Sequence, residues 1–316
     1  MHLEPFVETA LTIVGPHEVW QALLYPWMQG VMQRALAEMA LLGLVGGVLG
    51  CWIVFYELSY SAESLAHALF PGLVIAALAG FPLVLGAGIG VTVAAIAIAV
   101  LGRAPQIGRD TAVAVVISAL FGLGVVLALS PDAPPGLQGL LFGDILGVSS
   151  LDLLLTAGLA AVVLVALGLL HRQLLVVGFD RASARSVGGK PQLADIALLV
   201  LIALATIVAV QGLGSLLVVA VLVGPAATAR LLARRMVPMM GLASLMAVSA
   251  GAAGLYLSYY AGTAGGASVA GAIVTLYLAV RGGSALRRLR KDRHPAFRPV
   301  TSELREAAKA PGEDAR

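Results

Sequence analysis

Long apolar runs separated by short charged stretches make up most of this chain. The long segments that contain no Asp, Glu, Lys or Arg are residues 39–56, 64–102, 111–131, 153–170, 196–229 and 236–280. A helix needs about 20 predominantly apolar residues to cross a bilayer. The pattern therefore predicts an all-α fold, in the form of a polytopic bundle of transmembrane helices.

Three of these runs are long enough to hold two spans each. They contain glycine-bearing interruptions at residues 80–82, 211–214 and 262–266, and glycine often ends a helix. The run 196–229 leaves about 17 residues for each of two spans, which is the lower limit for crossing a bilayer. Two spans remain the prediction there, because both can extend into flanking residues, and the total is then nine; a single span in this run, for a total of eight, is the alternative.

The composition supports a membrane protein and predicts its orientation. Only 12% of the residues are charged, against about 25% in soluble domains. Of the 20 Lys and Arg residues, ten lie in residues 281–316. Because basic residues hold loops on the cytoplasmic side, we expect the C-terminus in the cytoplasm. Counting the spans back from there places the N-terminus outside.

The same reading divides the chain into three parts. Residues 1–30 are expected to form an extracytoplasmic or interfacial segment, residues 31–285 the transmembrane domain, and residues 286–316 a basic, disordered cytoplasmic tail. Arg34 is a basic residue at the outer end of the first span. Glu38, four residues later on the same helical face, is its expected partner.

Glu63 and His67 are the ionisable pair that stands out in the apolar background. Four residues apart, they share one face of a helix, and ionisable groups inside spans usually face a cavity or a partner. A carboxylate with an imidazole suits a divalent transition metal. The alternative is that Glu63 lies in the headgroup zone and that His67 is a packed, hydrogen-bonded side chain.

Other features add one candidate and exclude nucleotide hydrolysis. Asp144 follows Gly143 in an apolar setting, where it either caps a helix or faces a pathway; the cap is the preferred interpretation. The stretch Gly188-Gly189-Lys190 is followed by Pro191, where a phosphate-binding loop needs Ser or Thr. We therefore expect the chain not to be an enzyme and any ATP to be hydrolysed by a partner chain.

Three stretches together resemble the permease subunits of zinc- and manganese-uptake ABC transporters, over about residues 30–279. Residues 60–72 (YSAESLAHALFPG) are similar to the acid-x-x-x-His segment of that family, which ends in His-Ala-x-x-Pro-Gly. The second stretch is 141–149 (LFGDILGVS), followed by Asp152, and the third is 212–220 (GLGSLLVVA), running to 224–230 (GPAATAR).

The resemblance implies a bacterial inner-membrane importer of divalent metal, either zinc or manganese, with iron as a further candidate. It implies a homodimer with the pathway on its two-fold axis, a cytoplasmic ATP-binding subunit and an extracytoplasmic metal-binding protein. No permanently bound cofactor is expected. The metal is the transported substrate, and Glu63 and His67 are the implied transient translocation site.

The resemblance also implies a cytoplasmic segment that docks on the ATP-binding subunit and couples ATP hydrolysis to transport. This coupling segment comprises Phe179, Asp180, Arg181, Ala182, Ser183, Ala184, Arg185, Ser186, Val187 and Gly188.

The chain departs from the family pattern at two places. Glu63 stands where the family usually has Asp, and residues 261–266 lack the Asp-x-Pro-x-Gly that many members carry before the last span. Both departures bear on which metal is carried. The main alternative function is an ion-coupled secondary transporter, which would need no ATPase partner.

Overall fold

The computed structural model describes residues 25–101, 109–130, 141, 143–186, 188–215 and 217–292. Regular structure within these ranges is helical throughout, with no strand among them, so the predicted all-α class is confirmed. The α-helices are α1 (Gly30–Phe55), α2 (Ser59–Ala79), α3 (Leu83–Leu101), α4 (Arg109–Ala128), α5 (Ser150–Phe179), α6 (Arg181–Ser186), α7 (Pro191–Leu213), α8 (Val218–Leu232), α9 (Met236–Ala261) and α10 (Gly265–Asp292). Short 3-10 turns occupy Pro26–Met28 and Ile145–Gly147.

The helices match the nine predicted spans. Within the described part of the chain, seven helices are long and apolar enough to cross a membrane, and α3 and α8 are shorter apolar helices. The breaks between spans also fall where they were predicted. Gly80 ends α2 with φ of 72° and Gly262 ends α9 with φ of 63°, a left-handed conformation that glycine adopts without steric cost.

Helix α1 is the centre of the bundle and packs against α9, α8, α5 and α7. Glycines on α1 allow the closest of these contacts. A Cβ added at Gly50 would overlap the carbonyl oxygen of Leu222 on α8, and one at Gly47 would overlap Ser244 on α9. The remaining buried face of α1 is filled by large side chains such as Trp52, which is fully buried.

The terminal helices extend through or close to the predicted boundaries. Helix α1 begins at Gly30, next to the predicted start of the transmembrane domain at residue 31, and α10 continues as a helix to Asp292, past its apolar span Gly265–Ala285. Leu and Arg, good helix formers, follow residue 285 without an early Pro or Gly. The chain divides into two compact units, residues 1–277 and 278–316. Residues 1–24 and 293–316, which include most of both predicted terminal segments, lie outside the described residues.

Candidate metal site

Helix α2 holds the predicted ligand pair near its N-terminal end. Glu63 is exposed and His67, one turn later, is half-buried. Pro71 lies inside the same helix, four residues after His67. Because proline has no backbone N–H, it cannot donate to the carbonyl oxygen of His67, which therefore lacks its normal helical partner. One turn of α2 thus carries a carboxylate, an imidazole and a carbonyl oxygen that lacks its usual helical donor.

The imidazole of His67 packs against an aromatic side chain. Its ring lies against Phe121 of α4, with the centroids 4.6 Å apart and the planes tilted by 54°. Phe121 also contacts Phe70 at 5.4 Å, which fixes the aromatic wall behind the histidine. The Nδ1 atom of His67 is buried and has no hydrogen-bond partner among the described residues. His67 is therefore packed, as the alternative interpretation expects, but its Nδ1 atom does not make the hydrogen bond that this interpretation includes.

The pair does not make a complete metal site within one chain. Among the described residues, no three His, Cys, Asp or Glu side chains come together as a group that could hold a metal ion. Asp144 therefore does not join Glu63 and His67 in such a group. Protein metal sites usually have four or more ligands, and the described part of one chain brings together only these two candidate side chains.

Asp144 has a local structural role at the start of the second family-like stretch. Its Oδ1 accepts a hydrogen bond from the backbone N–H of Gly147 at 3.0 Å, which caps the turn Ile145–Gly147. Five residues on, Ser149 and Asp152 form a reciprocal capping box at the start of α5. Both acids are thus engaged with backbone or side-chain donors at this end of the bundle.

The coupling segment contains a short helix, α6. Asp180 accepts hydrogen bonds from the backbone N–H groups of Ala182 and Ser183, at 2.8 and 3.2 Å, and from the Ser183 hydroxyl. The hydroxyl bond is the main reason that the pKa of Asp180 is lowered from its usual value, and the two backbone bonds add to it. The carboxylate is therefore held in its charged form at the N-terminus of α6, where negative charge is favourable.

This segment is tied to the bundle at a few points and otherwise faces outward. Arg181 forms a two-pronged ion pair with Asp195 of α7, with N–O distances of 2.9 and 3.0 Å. Its guanidinium carbon also lies 5.9 Å from the centre of the Tyr56 ring, just beyond the end of α1. Ala184 is buried, whereas the other described residues of the segment are exposed. Val187 lies outside the described residues.

Glu38 is a buried acid that the sequence interpretation assigned to an ion pair, and that assignment is wrong. Glu38 is 1% exposed, and neither its Oε2 nor the Nε of Arg34 has a hydrogen-bond partner among the described residues. Glu38 is buried while Arg34 is partly exposed, and no ion pair joins the two among the described residues. A Cβ added at Gly212 would lie 2.9 Å from Glu38 Oε1, so the carboxylate abuts the end of α7. In the sequence, the only indication of this buried acid is the position of Glu38 directly before the apolar run 39–56.

Comparisons with known proteins relate this chain to membrane proteins of ABC transport systems. The model of the ABC 3 transport family matches residues 28–281. The chain is 35% identical over 247 residues to the manganese transport system membrane protein MntC of Halalkalibacterium halodurans, covering 78% of this chain and 85% of that protein. It is 31% identical over 235 residues to the chelated iron transport system membrane protein YfeD of Yersinia pestis, covering 74% and 79%.

A solved structure shares the fold over most of the chain. PsaBC from Streptococcus pneumoniae, in complex with a Fab, superposes with a TM-score of 0.78 at 29% identity, covering 83% of this chain and 95% of the matched chain.

Proposed function

The chain belongs to the ABC 3 transport family, and from that premise we propose that it is the membrane permease of an ATP-driven importer of divalent transition-metal ions. The observation that carries the proposal is the pair Glu63 and His67, with the buried and unpartnered Nδ1 of His67. We propose manganese as the first cargo to test, because a relative named for manganese transport matches over 78% of the chain. Zinc and iron suit the same ligands.

Two copies of the chain would complete the ligand set. Glu63 and His67 from each copy, placed on either side of a two-fold axis, supply four side-chain ligands where one chain supplies two. The freed carbonyl oxygen of His67 adds an oxygen ligand of the kind that manganese accepts. Such a site must bind the ion weakly enough to release it, since conduction requires departure as well as entry.

The expected orientation sets the order of the ligands along the path. With the basic end of the bundle in the cytoplasm, the N-terminus of α2 faces inward, so an incoming ion meets His67 before the more exposed Glu63. An extracytoplasmic binding protein would deliver the ion from the opposite side. The negative charge of Glu63 then offsets part of the cost of holding a dication near a low-dielectric wall.

Energy is proposed to enter through the coupling segment. A separate ATP-binding subunit, which hydrolyses ATP, would dock on the exposed face of α6. The ion pair of Arg181 with Asp195 joins α6 to α7, and α6 follows α5 directly. Displacement of α6 would therefore move the ends of two long helices together. A secondary transporter has no use for such a segment.

The experiment is manganese uptake into vesicles that contain equal amounts of each variant together with the ATP-binding subunit. We expect His67→Ala and Glu63→Gln to reduce uptake at least tenfold, and Glu63→Asp, the usual acid of the family, to retain most of it. Glu57→Gln is the matched control, because Glu57 is an exposed acid just before the same helix. Wild-type uptake by His67→Ala would exclude the site, and uptake without the ATP-binding subunit would exclude the ATP-driven mechanism.

A further inference from the structure

A large cavity lies at the end of the bundle where α1 and α5 finish and α8 turns into α9. Its volume is about 770 Å³, which is within the usual range for small-molecule sites. The proposed translocation site does not use it, because neither Glu63 nor His67 is among its lining residues.

One wall of this cavity is strongly basic. It carries Arg230, Arg234 and Arg235, with His171 beside them, and none of the described residues that line the cavity is acidic. Arg230 donates a hydrogen bond from Nη1 to the carbonyl oxygen of Val54 at 3.1 Å, which fixes its guanidinium at the end of α1. Arg234 and Arg235 are exposed, and the ion pair of the described residues lies elsewhere, on α6 and α7.

The other walls are apolar. Phe55, Phe179 and Leu175 form one side, and Val237 with Met239 from the first turn of α9 form another. Phe179 is 78% exposed and Val237 is 64% exposed, so apolar surface continues out of the cavity mouth. The N-terminus of α9 has no side-chain cap, and its partial positive charge adds to the basic wall.

We propose that this cavity binds an anionic phospholipid, with the phosphate against Arg234 and Arg235 and an acyl chain along the apolar walls. A free phosphate would use the arginines but leave the aromatic and aliphatic surface unfilled. A neutral lipid would fill the apolar surface but leave the three guanidinium groups without a counter-ion. Basic pockets between helix ends are a known way to hold acidic headgroups. This inference goes beyond the proposed transport function and does not depend on which metal is carried.

The test is lipid binding to the full-length permease released from nanodiscs of phosphatidylglycerol and phosphatidylcholine, read by native mass spectrometry. We expect Arg234→Gln with Arg235→Gln to weaken retention of phosphatidylglycerol roughly 30-fold, as expected for the loss of two basic groups at an acidic surface. Retention of phosphatidylcholine should not change. Arg172→Gln with Lys190→Gln is the matched control, because both are exposed and neither lines the cavity; it should stay within twofold of wild type.

A second variant distinguishes the contribution of the cavity's volume from that of its positive charge. Ala233→Trp keeps every arginine but fills part of the cavity, and it should also displace phosphatidylglycerol. Soluble glycerol phosphate should fail to compete at millimolar concentration. Equal losses of phosphatidylglycerol in the Arg234 and Arg235 variant and in the Arg172 and Lys190 control would mean general surface electrostatics and would overturn the proposal. It would also be overturned if the Arg234 and Arg235 variant kept its lipid but lost the ATP-binding subunit, since the wall would then be a protein-docking surface.

Discussion

Helices α2 and α3 meet backbone to backbone, and a single methyl group at the contact should separate them. A Cβ added at Gly86 of α3 would overlap the carbonyl oxygen of Gly72 on α2 and the Cβ of Ala76, and one at Gly72 would overlap the carbonyl oxygen of Gly86. Gly88, two residues along α3, has no atom within 4 Å of its added Cβ. Gly86→Ala and Gly88→Ala are therefore a matched pair on one helix.

The magnitude follows from what differs between the two variants. Both gain about 1 kcal/mol of helix propensity when alanine replaces glycine, so that contribution cancels in the comparison. Gly86→Ala must also push α2 and α3 apart by about 1 Å to restore normal contact distances, and overpacking of this kind costs about 1–3 kcal/mol. We expect Gly86→Ala to be less stable than Gly88→Ala by that amount.

The assay is reversible unfolding in mixed micelles, followed by circular dichroism, with manganese uptake measured on the same preparations. Because α2 carries Glu63 and His67, a displaced α2 should also reduce uptake in Gly86→Ala and leave it unchanged in Gly88→Ala. Equal stability of the two variants would refute the close contact. Unequal stability with equal uptake would mean that the position of α2 relative to α3 does not govern transport.

Three further predictions concern other charged groups. Glu38→Gln should raise the midpoint of thermal unfolding, because a buried carboxylate without a partner is costly, and a lower midpoint would mean that a partner exists. Asp195→Asn should cost about 0.5 kcal/mol, as for a partly exposed ion pair, yet reduce the metal transported per ATP hydrolysed; an unchanged ratio would exclude Arg181–Asp195 from coupling. Asp180 has a lowered pKa, so its cap should persist above the unfolded value near 4 and weaken only as the pH falls through the lower folded value. Limited proteolysis at α6 should show protection constant from pH 5 to 8, and lost at every pH in Asp180→Ala.

The number and order of spans could be predicted from the sequence because the bilayer imposes a simple requirement on each segment. Every span must be apolar and about 20 residues long, and glycine residues such as Gly80 and Gly262 leave a visible break between two of them. The short α8, of 15 residues, was found as a separate element for the same reason, since the glycines before it divide the run 196–229.

Only the part of the candidate site that lies on a single helix could be predicted from the sequence. Glu63 and His67 share a face because of helical spacing, which is a local property. The burial of Glu38 depends instead on the end of α7 packing against α1, and the cavity at Arg234 depends on where α1 and α5 end. Such contacts join residues distant in sequence, and a single sequence without aligned relatives contains no signal for them. A single sequence likewise contains no signal for which residues of a second copy of the chain would complete the proposed metal site.

The spacing of residues 67–72 is explained by three separate physical requirements on one helical turn and a half. His67, which packs against the ring of Phe121, is the proposed nitrogen ligand. Pro71, four residues later, removes the one backbone N–H that would otherwise occupy the carbonyl oxygen of His67. Gly72 then has no Cβ, which lets α3 approach closely enough to hold this stretch of α2 in place. Pro71→Ala should therefore leave the side-chain ligands unchanged but restore the helical hydrogen bond to His67. If the freed carbonyl oxygen helps to bind the ion, this variant will bind manganese more weakly while being at least as stable as wild type. Unchanged manganese affinity in Pro71→Ala would limit the site to its side chains.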